Sequence, residues 1–213
     1  NVPAGAITQI PVSIAGVTAV TNPTATSGGT DEESDADLLA RLLERVRNPA
    51  TSGNAAHYKQ WALEVSGVGD AKVLPLWDGA GTVKVVIIDS NKQPASTAII
   101  TAVTNYIEDV RPIGATVTIV SATGLEIDVS ATVTLATGAV LADVQAAFEA
   151  ALAAYLQHIA FKQNYVSYAQ VGSLLLDTPG VLDYSGLTLN NGTGNVSIDD
   201  TEVAILGTVT LNV

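Results

Sequence analysis

The chain has 213 residues, and because 47% of them are hydrophobic but only 5% are aromatic, it can bury an aliphatic core. Its formal net charge of −12 disfavours binding to nucleic acid or to anionic membranes, which carry charge of the same sign. The sequence has no Cys, which excludes disulfides and thiolate metal sites, and no apolar run reaches the roughly 18 residues that span a membrane.

The first 29 residues carry no charged side chain and are rich in Ala, Gly, Thr, Val and Pro. We interpret residues 1–29 as an extended segment, the end of a truncated domain. Within this segment, Ala15–Val20 predicts a short strand. The pair Gly28-Gly29 then breaks the chain before the next element.

A helix with clear start and stop signals follows. Thr30 and Glu33 have the spacing of a capping box, and Asn48-Pro49 ends the helix. Acidic residues in its first turns, such as Asp31, and basic residues in its last turns, such as Arg41, complement the helix dipole. Its apolar positions are Leu38, Leu39, Leu42, Leu43 and Val46. This face either joins the core or contacts a partner protein, and the sequence leaves both interpretations open.

A second helix is predicted from about Asn54 to Val65, so that an N-terminal helical pair precedes the sheets. Its apolar face contains Trp61, and Gly67 follows where glycine commonly ends a helix. Trp61 and Trp77 could each anchor a partner protein, since Trp is favoured in interfaces. In a chain so poor in aromatic residues, we expect both to lie in the core.

The following residues predict a β-β-α-β unit, which with the helical pair makes a domain of residues 30–122. Strands at Ala71–Trp77 and Thr82–Asp89 flank a hairpin turn, and Pro75 indicates an edge strand or a bulge. A helix with apolar residues at helical spacing ends at Pro112, and Ala115–Val120 returns as a strand.

Residues 123–213 predict a second domain with the order β-α-α-β-β. Apolar and polar residues alternate from Leu125 to Leu135, which predicts a strand with one buried and one solvent-exposed face. The elements predicted after it are a long amphipathic helix from Val140 to Ile159, a short helix at Tyr168–Leu176 and strands near Val181–Leu189 and Thr201–Leu211. The fold class is therefore α+β, with two small units of mixed sheet that carry helices on one face.

The polar residues do not have the spacing of a catalytic or metal site. His57 and His158 lie alone on predicted helices, and the acidic residues 31–37 point in different directions on a helix. The loop Gly192–Asp200 is rich in oxygen donors but lacks the spacing of a calcium loop. We therefore predict no catalytic residue, no cofactor-binding residue and no metal ligand.

Four stretches in the expected order resemble the baseplate J-like proteins of contractile phage tails, of the Mu-like and PBSX-like kind. They are Gly28–Val46 with Ser52–Asp89, then Val110–Ile119, Tyr168–Asn190 and Glu202–Leu211. The resemblance covers nearly everything from Gly28 onward. It implies a structural protein of the baseplate wedge that contacts other wedge and hub proteins and can also self-associate.

The resemblance also implies what the protein lacks and where it works. It implies no enzyme activity, no cofactor, and no nucleic acid, membrane or small-molecule partner. It places the protein in the tail baseplate of the virion, assembled in the cytoplasm of the bacterial host. The positions that carry over are expected to make turns, caps and packing contacts. They are Gly28, Gly29, Asp31, Arg41, Trp61, Gly67, Arg111, Pro112, Gly114, Gly180, Asp183, Leu187 and Asn190.

Two other classes of protein remain as alternatives. An extracellular adhesin or surface-layer module would share the acidity and the richness in Thr, Val, Ala and Gly, but the long amphipathic helices count against it. A small-molecule enzyme would need polar residues that converge on one site, and the sequence does not indicate such a set.

Overall fold

A computed structural model describes residues 2–10, 12, 15–26, 35–47, 51 and 53–213. The chain divides into two units, Asn1–Asn48 and Pro49–Val213, and each is described by itself. The predicted helices 1 and 2 fall in different units, so the expected helical pair stays a prediction.

The first unit contains an irregular segment and helix α1, Asp35–Arg47. Thr26 donates its backbone N–H to the carbonyl of Val2 at 3.0 Å, and the Asn22 side chain accepts from the N–H of Ile7 at 3.0 Å. These bonds join the two ends of the irregular segment. The predicted cap residues of α1 (Gly28, Gly29, Thr30, Asp31 and Glu33) and the side chain of Arg41 lie outside the described residues.

The predicted strand at Ala15–Val20 is wrong. Ala15 and Gly16 form a turn, and residues 17–20 pair with no strand among the residues that the structure describes. Val17 and Val20 are both exposed. An extended segment is not a stable strand without a neighbour to bond its backbone groups and a surface to cover its side chains.

The second unit has the helices and strands that the sequence predicts, together with two short strands that it does not. The short pair, β5 and β7, has only two residues in each strand, too few for any periodicity to be seen. The elements are α2 (Ala55–Glu64), β1 (Val68–Pro75), β2 (Thr82–Asp89), α3 (Thr97–Val110), β3 (Thr116–Ser121), β4 (Thr123–Leu135), α4 (Leu141–Ile159), β5 (Tyr165–Val166), α5 (Tyr168–Asp177), β6 (Val181–Leu189), β7 (Val196–Ser197) and β8 (Glu202–Asn212). The α+β fold class with small mixed sheets is confirmed.

The first three strands form the central sheet, in the order β1-β2-β3. β1 is antiparallel to β2, and β3 is parallel to β2 after the crossover through α3. Pro75 is the last residue of β1, which is an edge strand, and the bulge in that strand lies at the other end, between Val68 and Asp70. An edge position tolerates proline because its missing N–H faces away from the ladder.

The second group of strands forms the C-terminal sheet, in the order β6-β4-β8. β6 is antiparallel to the middle strand β4, and β8 is parallel to it. The buried positions of β4 are Ile127, Val129, Ala131 and Val133, and the residues between them are exposed or half-buried. This alternation confirms that one face of the sheet is covered, by α4 and α5, and the other faces solvent along most of the strand.

Three apolar clusters hold the second unit together. One lies between α2, α3 and one face of the central sheet, and includes Trp61, Val85 and Ile107. Another lies under α4 and α5 and contains Phe148 and Leu152. The third joins the two sheets, since it combines residues of β2 with residues that follow α4 and lie in β8.

Candidate assembly interface

The apolar face of α1 is exposed along its length. Leu38, Leu39, Leu42 and Val46 are 48%, 54%, 55% and 68% exposed, and Leu43 is half-buried. Large apolar side chains left in water at helical spacing are typical of surfaces that bind another protein. Within the first unit four of the five positions are exposed, and their contact with a partner stays a prediction.

Trp61 lies in the core, as the sequence predicts. Its side chain is 8% exposed and meets the ring of Tyr58 edge to face, with 5.1 Å between ring centroids. His57 packs on its other side, with 3.9 Å between centroids, while the His57 Nδ1 accepts from the N–H of Gly53. Burial raises the pKa of Tyr58, and the charge of Arg111 partly offsets that effect. His57 therefore has a packing and turn-forming role here.

The prediction that Trp77 lies in the core is wrong. Its side chain is 42% exposed, and the Nζ of Lys84 lies 3.7 Å from the centroid of the ring. The reason is the backbone of the preceding residue: Leu76 has a left-handed φ of 57°, which turns the chain off the end of β1. Trp77 consequently lies beyond the end of β1, among residues that are themselves exposed.

Three of the glycines carried over from the family pattern occupy left-handed turns. Gly67, Gly114 and Gly180 have φ values of 93°, 87° and 93°, a region that other residues enter only with strain. Arg111 makes an ion pair with Glu108 and also donates to the carbonyl of Ala115. These contacts fix the turn between α3 and β3.

Two further family positions make close contacts. Pro112 packs against Gly53, where a Cβ would lie 2.4 Å from the Pro112 Cγ. Leu187 is buried in the C-terminal core, and the Asp183 carboxylate accepts from the N–H of Tyr184 at 2.8 Å. Each contact shapes a turn or a strand, and none gathers reactive groups.

Asn190 connects the strands of the C-terminal sheet. It has a left-handed φ of 48°, its side-chain oxygen accepts from the N–H of Asp128 at 2.7 Å, and its amide donates to the carbonyl of Glu126 at 3.0 Å. Asp128 in turn accepts from the N–H of Thr208 in β8 at 2.7 Å. Sequence reasoning missed Asp128 because an exposed Asp in an alternating strand looks like an ordinary solvated residue. Gly207, where a Cβ would lie 2.5 Å from the Asp128 carboxylate, gave the one available signal, a glycine inside a strand.

The central and C-terminal sheets meet with one residue between them. Ala122 separates β3 from β4, is 3% exposed and donates its N–H to the carbonyl of Ile87 at 2.9 Å. Lys72 of β1 forms an ion pair with Asp200 at 2.8 Å. Phe161, which has a left-handed φ of 55°, packs into the shared cluster. The second unit therefore presents both sheets on one body.

Within the part of the chain that the structure describes, three or more His, Asp and Glu side chains do not come together as a metal site. His158 is exposed on α4, and the loop Gly192–Asp200 contains β7, which pairs with β5. Among the described helices, none has the length and hydropathy needed to cross a bilayer.

Comparison with known proteins defines the class. Residues 50–121 match the model of the Baseplate J-like central domain, and residues 127–212 match that of the Baseplate J-like protein C-terminal domain. The chain belongs to the baseplate J-like family, as the sequence stretches predicted.

Relatives and a solved structure agree with this assignment. The chain is 38% identical over 188 residues to the phage-like element PBSX protein XkdT of Bacillus subtilis, covering 85% of this chain and 54% of that protein. It is 50% identical over 66 residues to the baseplate protein gp47 of Escherichia phage Mu, covering 31% of this chain and 18% of gp47. The chain spans about half the length of the longest-matching relatives.

The fold also matches a chain in the cryo-EM structure of the anti-feeding prophage baseplate, six-fold symmetrised. The TM-score is 0.60 at 16% identity, and the match covers 97% of this chain and 48% of the other. This match shows the fold alone, and the two family models agree with it.

Proposed function

We propose that this chain is part of a wedge protein in a contractile-tail baseplate and acts through protein–protein contacts. The observation that carries the proposal is the exposed apolar face of α1. Four of its large apolar residues, Leu38, Leu39, Leu42 and Val46, are each more than one third exposed. A face of this kind gains free energy when a partner covers it, at about 25 cal/mol per Å² of apolar surface.

The rest of the chain acts as a scaffold in this proposal. The family positions Trp61, Gly67, Arg111, Asp183 and Asn190 serve packing and turns, as their contacts support. We take the functional domains to be residues 30–122 and 123–213, after an extended segment of residues 1–29. The ranges of the two family models, 50–121 and 127–212, support the division near residue 122.

The same proposal assigns no enzyme activity, no cofactor, and no nucleic acid, membrane or small-molecule partner to the chain. The net charge of −12 supports the first two exclusions among partners. The partners are other wedge and hub proteins, and assembly takes place in the cytoplasm of the bacterial host before the tail joins the virion.

Deletion of the gene in its phage or prophage tests the proposal. Contractile tails should fail to form, and a plasmid copy of the full gene should restore them, with the protein present in purified tails by mass spectrometry. Normal tails without the protein would rule out a baseplate role.

The contribution of α1 is tested with charge variants in the same strain. The double variant Leu38→Glu and Leu42→Glu should abolish tail assembly, because two carboxylates cannot be buried in an apolar interface without partners. A matched variant, Leu182→Glu, changes a leucine of β6 that is 64% exposed and should assemble normally if α1 is the contact. Equal effects of the two changes would contradict a specific role for α1.

A further inference from the structure

A second exposed apolar patch lies at one end of the central sheet. It consists of Leu76, Trp77, Lys84 and Ile113, and is called the tip below. Leu76 and Trp77 are 65% and 42% exposed, and Ile113 is 105% exposed, so no residue that the structure describes covers it. Three large apolar side chains on adjacent turns are more than the single exposed residues that a soluble surface normally carries.

The tip is held by a network of backbone bonds. Thr116 donates its N–H to the carbonyl of Gly81 at 2.8 Å, which fastens the turn before β3 to the turn between β1 and β2. Leu76 donates to the carbonyl of Thr82 at 2.7 Å, and the Thr82 hydroxyl donates to the carbonyl of Gly79 at 2.7 Å. The apolar side chains are therefore presented on ordered turns, which lowers the entropy lost when a partner binds.

The backbone at Leu76 is strained in order to present these side chains. A left-handed φ brings the Cβ of any residue other than glycine too close to the following carbonyl oxygen. In the isolated chain this conformation leaves Leu76 and Trp77 exposed to solvent, so that burial of their side chains does not offset the strain. Strained residues of this kind cluster at ligand and partner contacts.

The tip lies at the end of the central sheet where β1 ends and β3 begins. β3 begins at Thr116 beside the tip and ends at Ser121, next to the residue that joins the two sheets. The tip is thus at the end of the central sheet remote from the C-terminal sheet.

The charges at the tip identify the chemistry of the partner. Lys84 lies over the Trp77 ring and has no carboxylate partner among the described residues. Its charge must be met by an acid when the tip is covered, because an unpaired buried charge is costly. An anionic bilayer would offer such charge, but it would repel a chain of net charge −12.

We propose that the tip inserts into an apolar socket, rimmed by carboxylates, on a different protein of the baseplate. The inference rests on the proposed function, since it requires the protein to be present in assembled tails. Trp77 and Ile113 are the anchors, because buried Trp side chains dominate the energy of protein interfaces, and Lys84 pairs with the rim.

Because this chain has no Cys, an introduced thiol can report on the tip once any cysteine elsewhere in the full-length protein has been replaced by serine. Ile113→Cys and the control Leu182→Cys are introduced into the full-length gene, and maleimide labelling is compared between free protein and purified tails. We expect Cys labelling at position 113 to be at least about tenfold slower in tails, since a covered thiol reacts only when the contact opens. Labelling at position 182 should change little.

A photo-crosslinking amino acid at position 113 identifies the occupant. A crosslink to another baseplate protein supports the proposal, whereas a crosslink to a second copy of this chain or to lipid overturns it. Lys84→Glu should reduce the amount of this protein in purified tails, and Lys84→Arg should preserve it.

The failure of the two proposals can be told apart. Tails that lack the protein altogether would disprove the baseplate role itself. Tails that contain the protein, but in which the thiol at position 113 reacts as fast as in free protein, would overturn only the inference about the tip.

Discussion

The two sheets of the second unit differ in how many faces they bury, and their middle strands show it. In β2 the run Val85–Ile88 has four consecutive residues at 0% exposure. In β4 buried and exposed residues alternate from Ile127 to Thr134. A strand that is apolar without interruption has both faces covered, and one that alternates has a single covered face.

The two buried faces of the central sheet have different covers. Val85 and Ile87 contact the cluster under α2 and α3, whereas Val86 and Ile88 contact the cluster that Ala160 and Val203 complete. The second cover belongs to the C-terminal part of the chain. The comparison teaches that a continuous apolar strand in a small domain indicates a neighbouring domain packed on it.

The largest expected effect on stability comes from the face of the central sheet that α2 and α3 cover. Trp61→Ala should lower the free energy of unfolding by about 3–5 kcal/mol, because it leaves a cavity in a closed cluster. Trp77→Ala is the matched control and should change it by less than about 0.5 kcal/mol, because that ring is exposed and at the tip. Denaturant melts of both variants measure the difference, and equal losses would contradict the assignment of the two tryptophans.

The next effect tests the second covered face. Ile88→Ala should cost about 2–4 kcal/mol, although the residue lies on the side of the sheet away from α2 and α3. Thr132→Val, on the open face of β4, should stay within about 0.5 kcal/mol of the parent. If Ile88→Ala were as mild as Thr132→Val, the two sheets would not share a core in solution.

A smaller effect concerns the clip between strands of the C-terminal sheet. Asn190→Ala should destabilise the protein by about 1–3 kcal/mol, since it loses two hydrogen bonds and keeps a Cβ in a left-handed turn. Asn190→Gly loses the same bonds without the strain, so it should cost less. Thermal unfolding of the pair separates the two contributions, and an Asn190→Gly variant that is the less stable of the two would contradict this account.

The smallest effect depends on pH. The hydrogen bond from Arg111 holds the pKa of the Glu108 carboxyl below its usual range. Because the folded pKa lies below the unfolded one, the pair stabilises the fold above the unfolded pKa and loses that contribution as pH falls through the folded pKa. Between about pH 5 and pH 3, the Tm of the parent should therefore fall more steeply than that of Glu108→Gln. High salt should reduce the difference in Tm slope between the two proteins, because it screens the ion pair. Identical slopes without added salt would show that the pair does not contribute to stability.

Much of the local structure follows from the sequence alone, for reasons that each element makes plain. The start of α2 is set by Asn54, whose side chain accepts from the N–H of His57 at 2.8 Å. Pro75 indicates an edge strand because proline lacks a backbone N–H. The alternation in β4 indicates a strand with one covered face. Both signals are readable from residues close together in the sequence. The prediction of a short strand at Ala15–Val20 was wrong because a strand needs a neighbouring strand to pair with, and the local sequence does not indicate whether one is present.

The candidate interface was only half predictable. The sequence identifies the apolar face of α1, but the same pattern serves a core helix and a docking helix equally well. Trp77 and Ile113 were missed because their exposure depends on the turns that carry them. The direction in which a turn orients its side chains depends on its backbone dihedral angles, and the spacing of apolar residues in the sequence does not indicate it.

By itself, the sequence determined the α+β class, the order of most helices and strands and the membership of a baseplate family. The class and the order of the elements depend on period, capping and turn chemistry, which act over a few residues, whereas the family was predicted from the resemblance of whole stretches. Only the tertiary structure decided that the two sheets share a cluster, that Asp128 and Asn190 meet across the C-terminal sheet, and that the turns carrying Trp77 and Ile113 lie at the same end of the central sheet. Those contacts join residues far apart in the chain, and their free energy depends on a geometry that exists only after the sheets have paired.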